Sequence, residues 1–215
     1  MVKKVGFLHT SASHIATFDS LLGERAPDVV CVHEVREELL RECIDEGASD
    51  SVVQGVRDAL CRLGSEGCVV VSCTCSTLGA IAESQSNEGL GVLRIDRAVA
   101  DKLMTYRRVL VVVALESAAI AADELLQQSA TQCDSPPSWL IALVPHAWSA
   151  FESGEYDRYI TIIARFVDQM AAGYDAVFLA QASMLGAARL CHHPRVFTSL
   201  GHGVDALIER FRVHL

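Results

Sequence analysis

A chain of 215 residues, 51% hydrophobic and 21% charged, carries enough apolar material to bury one large core or two half-size ones. Its formal net charge of -9, with no basic block, argues against nucleic acid or an anionic membrane surface as a partner, because both need a positive footprint. No apolar run is long enough to span a bilayer, and the start Met1-Val2-Lys3-Lys4 reads as no secretory signal, so the expected location is the cytoplasm. The eight cysteines lack the spacing of a disulfide scaffold and read as reduced thiols, most of them small buried side chains.

In chain order, apolar β-forming runs predict strands at 5–8, 28–32, 68–73, 109–115, 139–144, 176–180 and 196–198. Amphipathic stretches separate them, such as Tyr159, Ile160, Ile163, Phe166, Val167 and Met170 at three- and four-residue spacing. Steady alternation of strand and helix predicts parallel sheet covered by helices. The clearest loop is Asp134-Ser135-Pro136-Pro137-Ser138.

The sequence also repeats itself. "GCVVVSCTCSTLGA" (67–80) lies on "YDAVFLAQASMLGA" (174–187) without a gap, with Ser76, Leu78, Gly79 and Ala80 facing Ser183, Leu185, Gly186 and Ala187. "VGFLHTS" (5–11) falls on "VVVALES" (111–117) at nearly the same offset. The expected architecture is therefore α/β, with two pseudo-symmetric Rossmann-like lobes and an active-site cleft between them. The first lobe takes residues 1–95 plus 199–215, and the second takes 96–198.

In open parallel sheets ligands sit beyond the carboxyl ends of the strands. That rule gathers His9, Thr10, Ser11, Cys75, Ser76, Thr77, Glu116, Ser117, Gln181, Ala182 and Ser183 into the candidate site. Ser76, Thr77 and Ser183 fall where helices begin, and unpaired N–H groups there favour an anion, so the expected partner is a small carboxylate. A thiol at such a helix start is expected to have a lowered pKa, which makes Cys75 the reactive cysteine, while Cys73 packs in the core.

The segment Cys75-Ser76-Thr77, after an apolar strand and before a helix, resembles the Cys-Asn/Ser-Thr motif of the aspartate/glutamate racemase superfamily, which includes hydantoin racemase, maleate isomerase and arylmalonate decarboxylase. "FLHTS" near the start and "RID" (94–96) fit the same pattern, so the likeness covers nearly the whole chain. The resemblance implies a cofactor-independent enzyme in which two cysteines flank a carbon beside a carboxylate or carbonyl, one removing a proton and the other returning it. Here the family's second cysteine falls on Gln181, whereas the internal repeat pairs Cys75 with Ala182; neither is a thiol. A two-thiol racemase is thereby put in doubt, and Glu116 is the candidate for the missing acid or base. Two readings stay open: an isomerase or lyase with Cys75 as base or nucleophile, and a non-catalytic carboxylate-binding or regulatory protein on the same fold.

Cys191-His192-His193, with Cys73 and Cys75, has metal-ligand residue types but no Cys-x-x-Cys pair, so no metal is expected, and the resemblance implies no cofactor. His14 and His202 read as structural or rim histidines. A homo-oligomer, a dimer in particular, is compatible with the sequence.

Overall fold

The computed structural model describes residues 3–213. It divides into two compact units, one of residues up to Arg97 together with the segment from Leu200, the other Ala98–Ser199. The first opens with β1 (Lys4–His9), a short 3-10 turn (Ala12–His14) and α1 (Ile15–Arg25), followed by β2 (Cys31–Val35), α2 (Glu37–Glu46) and α3 (Asp50–Ser65). Next come β3 (Cys68–Cys73), α4 (Ser76–Glu83) and β4 (Gly91–Arg94). α5 (Arg97–Leu103) leads into the second unit, which contains β5 (Arg108–Val113), α6 (Glu116–Ala130), β6 (Ser138–Leu143), α7 (Ala147–Glu152), α8 (Tyr156–Met170) and β7 (Ala176–Leu179). A 3-10 helix (Ala182–Arg189) and β8 (Val196–Thr198) complete it, and α9 (Ser199–Val213) belongs to the first unit from Leu200 onward.

Each unit holds one four-stranded, wholly parallel sheet, ordered β2-β1-β3-β4 in the first and β6-β5-β7-β8 in the second. The two orders are the same topology written twice, as the sequence repeat implies. In both, the inner strands β1, β3, β5 and β7 are buried on two faces, which explains why they read as unbroken apolar runs rather than alternating ones, whereas the edge strands β2, β6 and β8 are only partly covered.

In the first unit the side chain of Leu8 joins the core beneath α2, α3 and α4, with Leu39, Val56, Leu60, Leu63 and Leu78. Phe7, its neighbour in β1, points to the opposite face and packs on Phe18 of α1 with ring centroids 4.8 Å apart. Ser49 starts α3, its hydroxyl accepting the Val52 N–H at 3.3 Å. In the second unit Tyr159, Ile163 and Val167 turn the apolar face of α8 into one core, while Val109, Val111 and Phe178 face α5 and α6 in the other.

Two boundaries depart from the sequence expectation. Ala26-Pro27-Asp28-Val29 closes a turn, with Val29 N–H donating to Ala26 O at 3.0 Å, so β2 begins at Cys31 rather than at residue 28. β4 was not anticipated at all: it is four residues long and starts on a glycine, too short for a periodicity to show. Among the described residues no helix is long and apolar enough to cross a membrane.

The leucine-glycine-alanine repeat has a packing cause in both units. A Cβ on Gly79 would lie 2.8 Å from Arg94 Nε, and one on Gly186 would lie 3.0 Å from Tyr156 Oη. Each glycine therefore lets a large side chain pass against the helix backbone. The tightest such approach brings α9 onto the strand end after β4, where a Cβ on Gly203 would stand 2.2 Å from Ile95 O. Backbone cannot step aside as a side chain does. Gly203→Ala should cost about 1–3 kcal/mol or more of unfolding free energy, as overpacking does; urea denaturation of the variant showing unchanged stability would mean that α9 does not seat this closely.

Candidate active site

The carboxyl ends of β1 and β3 are tied together by one residue. Thr74 N–H donates to Leu8 O at 2.9 Å, carrying the parallel ladder one step past the last strand residue. Its hydroxyl lies 3.2 Å from Leu8 O and 2.9 Å from His9 Nδ1. On the far side Ile95 N–H donates to Cys73 O at 3.0 Å. Thr74 is thus fixed on both sides, and Cys75, next along, takes an extended backbone (φ -93, ψ 119) at the position preceding the first residue of α4.

The Cys75 side chain makes no capping hydrogen bond, but the Thr10 hydroxyl and the Leu78 and Thr77 backbone N–H groups act on its sulfur to favour the thiolate. Burial acts the other way and wins: the thiol is only 9% exposed, and its pKa is raised above the ordinary value, with nearby Asp96 adding to the rise. The expected lowering of this pKa is therefore corrected. The helix start contributes in the anticipated direction, yet the desolvation of a charged sulfur outweighs it. Cys73 is buried in the core as expected, its thiol donating to Cys75 O at 3.6 Å.

Beneath α4 runs a buried ion pair. Arg94 grips Asp96 with two parallel hydrogen bonds, Nε to Oδ1 at 2.9 Å and Nη2 to Oδ2 at 3.0 Å, and both residues are almost wholly inaccessible. "RID" is thus a charge pair held under the thiol-bearing turn.

His9, placed at the site by its position in sequence, has no accessible surface and both ring nitrogens engaged, Nδ1 with Thr74 and Nε2 with His33 Nδ1 at 2.8 Å. Burial, assisted by His33, pushes its pKa down to about 3, so the ring is neutral. This corrects its assignment as a substrate-binding group: β1 alternation sends its side chain inward, against Phe18. Thr10 is half-buried, and Ser11 caps the following 3-10 turn, its hydroxyl accepting from Ser13 N–H. Ser76 is buried and Thr77 half-buried in the first turn of α4.

In the second unit Gln181 occupies the equivalent turn, where its Oε1 accepts the Ala114 N–H at 2.6 Å. Its amide is thereby committed to holding the ends of β5 and β7 together, much as Thr74 holds β1 and β3. Ala182, half-buried, begins the 3-10 helix, and the Ser183 hydroxyl lies 2.7 Å from Tyr159 Oη. Ser183 is consequently tied to the core beside α8 through Tyr159. Glu116 is exposed and Ser117 half-buried at the start of α6.

The metal-ligand types around Cys191 do not converge. His192 Nδ1 pairs with Asp168 Oδ2 at 2.7 Å, while Cys191 donates to Ala187 O. Among the described residues the one cluster with metal-ligand geometry is Asp19, Cys31 and His33, which the sequence reading did not single out. The x-His/Cys alternation of β2 was its available signal, since residues 31 and 33 share a strand face.

If Thr10 favours the Cys75 thiolate, Thr10→Val should raise the thiol pKa further and slow iodoacetamide labelling of Cys75 at any fixed pH below it. Labelling of the wild type should accelerate as pH rises past the ordinary thiol range. Peptide mapping across pH tests both, and a curve unmoved by Thr10→Val would remove Thr10 from the sulfur's surroundings.

No protein-family model and no curated protein matches the sequence. Solved structures do. Aspartate racemase from Picrophilus torridus superposes with a TM-score of 0.75 at 17% identity, covering 97% of this chain and 94% of that one. Glutamate racemase from Thermus thermophilus, in complex with β-chloro-D-alanine, gives 0.70 at 12% identity over 99% and 81%. A variant of arylmalonate decarboxylase gives 0.58 at 17% identity over 96% and 92%. With two parallel four-stranded sheets of one topology in succession, the chain has the α/β fold of the aspartate and glutamate racemases and of arylmalonate decarboxylase.

Proposed function

We propose that this chain is a cofactor-independent enzyme acting on the carbon beside a carboxylate of a small dicarboxylic or amino acid, with Cys75 as its base or nucleophile. The observation that carries the reading is the Cys75 turn: a single thiol at the amino end of α4, beside the Thr10 hydroxyl and the N–H groups of Thr77 and Leu78. A substrate carboxylate received by Ser76, Thr77 and the helix start they open would lie on the favourable end of its dipole. Its neighbouring carbon would then fall within reach of the sulfur.

Burial defines how such a thiol works. At neutral pH Cys75 rests protonated, but once deprotonated it is a stronger base than an exposed thiolate, because a raised pKa and proton affinity are the same quantity. The fraction of active thiolate therefore rises with pH, and so should the rate. The solved structures of similar fold are named as racemases and a decarboxylase, and both reaction types pass through a carbanion-like species next to a carboxyl group.

In this reading the chain is a one-thiol enzyme. Gln181 stands where the family resemblance would place a second sulfur and Ala182 where the internal repeat would, and an amide neither ionises nor gives up a proton as an acid in this range. Glu116, exposed at the start of α6, is assigned as second proton carrier by its place in the repeat. The competing reading, a carboxylate-binding protein without turnover, draws on the same raised pKa.

The experiment is proton exchange in deuterated water with aspartate, glutamate and a monosubstituted malonate, followed by NMR and chiral analysis. Wild type should exchange the α-hydrogen or decarboxylate at least one of these, faster at alkaline pH, without rapidly racemising aspartate or glutamate. Cys75→Ser should lower the rate by about 100-fold or more, the span general acid–base groups contribute. Turnover surviving in Cys75→Ser would overturn the mechanism, and calorimetric binding of these acids without any turnover would establish the binding reading instead.

A further inference from the structure

The cluster of Asp19 from α1 with Cys31 and His33 from β2 lies in the first unit and takes no part in the chemistry assigned to Cys75. Its three ligand atoms form a small triangle: His33 Nε2 to Asp19 Oδ1 3.0 Å, Cys31 Sγ to Asp19 Oδ1 3.3 Å, and Cys31 Sγ to His33 Nε2 3.4 Å. Bond lengths of about 2.3 Å to sulfur and about 2.0–2.2 Å to nitrogen and oxygen, at tetrahedral angles, require edges of about 3.3–3.6 Å between such atoms. The triangle needs to open by only a few tenths of an ångström. From this arrangement we propose that Asp19, Cys31 and His33 form a binding site for a four-coordinate, borderline-soft divalent cation of the Zn2+ type, with one position left to water.

The surroundings carry the proposal beyond residue types. A metal-bound histidine needs its other ring nitrogen held by a partner, and here His33 Nδ1 lies 2.8 Å from His9 Nε2, in a ring with no accessible surface. Without metal, the Asp19 carboxylate accepts a hydrogen bond from His33 Nε2–H, His9 Nε2–H donates to His33 Nδ1, and the Thr74 hydroxyl donates to His9 Nδ1. With metal on Nε2, the proton of His33 sits on Nδ1 and every bond in the chain reverses: His33 Nδ1–H to His9 Nε2, His9 Nδ1–H to Thr74 Oγ1, and Thr74 O–H to Leu8 O, which lies 3.2 Å away. Within the His33–His9–Thr74 chain the number of hydrogen bonds is kept, while the contacts of His33 Nε2 and Cys31 Sγ with Asp19 give way to bonds to the cation. The only proton released is that of Cys31, which leaves to solvent as the sulfur–metal bond forms. Asp19 is exposed and Cys31 half-buried, which gives the cation a way in, while the stack of His33 on Phe7 holds the imidazole in place.

Borderline-soft cations suit the mixed sulfur, nitrogen and oxygen set, whereas Mg2+ and Ca2+ select all-oxygen sites. The test is titration of the reduced, metal-free full chain with Co2+ and with Zn2+, which needs no substrate and no turnover. One equivalent of Co2+ should bind with the visible bands of four-coordinate cobalt and a near-ultraviolet thiolate-to-metal band, and Zn2+ should displace it. Cys31→Ser should abolish the thiolate band, and Asp19→Asn, altered only at an exposed side chain, should weaken Zn2+ binding by more than the roughly 10- to 100-fold that loss of an outer partner costs. Circular dichroism confirms that each variant is folded. Absence of stoichiometric binding, a cobalt spectrum without the thiolate band, or a spectrum unchanged in Cys31→Ser would each overturn the site.

Discussion

Arg94 and Asp96 impose the constraint around which the first unit is arranged. An arginine this buried is stable only with its carboxylate held against it, and removing one partner of such a pair typically costs about 3–5 kcal/mol because the other charge is left in the interior. The guanidinium takes up space under α4, so the helix must present a residue without a side chain at 79. That requirement fixes how closely α4 approaches β4, and with it where the turn before α4 delivers Cys75. The Asp96 charge, kept inside by the same pair, then opposes ionisation of the thiol. Packing and charge at this turn follow from one interaction, and its charge adds to the burial that chiefly raises the thiol pKa.

The second unit solves the same topological problem with different chemistry. Where Thr74 and the Arg94–Asp96 pair secure the ends of β1, β3 and β4, the equivalent turn uses the Gln181 side chain on Ala114 and the Ser183–Tyr159 pair on α8. Gly186 serves Tyr156 as Gly79 serves Arg94. The helix that follows is wound more tightly, as a 3-10 rather than an α-helix, so its first N–H groups are set differently from those of α4. A duplicated backbone has thus diverged into one end with a thiol and buried charges, and another with neutral, mutually satisfied polar groups.

The parts legible in the sequence were those with a period or a repeat. Strand–helix alternation identified seven of the eight strands, although β2 starts later than its apolar run because Pro27 holds a turn, and the gapless alignment of 67–80 on 174–187 anticipated two sheets of one topology. Serine and cysteine at the start of α4 were readable for the same reason. Burial was not. Whether a helix start lowers a thiol pKa depends on how far the sulfur is buried and on which groups distant in sequence are brought to it, here the Thr10 hydroxyl, which lowers it, and the Asp96 charge, which raises it. The inward turn of His9 and the partnership of Ser183 with Tyr159 are likewise products of packing between elements 24 or more residues apart.

The chain Asp19–His33–His9–Thr74 shows why the end of β1 matters to more than one place. Its outer end is a carboxylate in solvent, and its inner end is a hydroxyl one residue from Cys75. Because each imidazole is a donor on one nitrogen and an acceptor on the other, the direction of the whole chain is set by whichever group demands a proton most strongly. With Asp19 accepting from His33 Nε2–H every donor points outward; a cation bound to His33 Nε2 would point them inward and turn the Thr74 hydroxyl onto Leu8 O. Thr10, which follows His9 directly, acts on the Cys75 sulfur, so the end of β1 delivers adjacent residues to the two proposed sites. Changing His9 to a residue with a single polar end would therefore disturb both, through the chain on one side and through the backbone leading to Thr10 on the other.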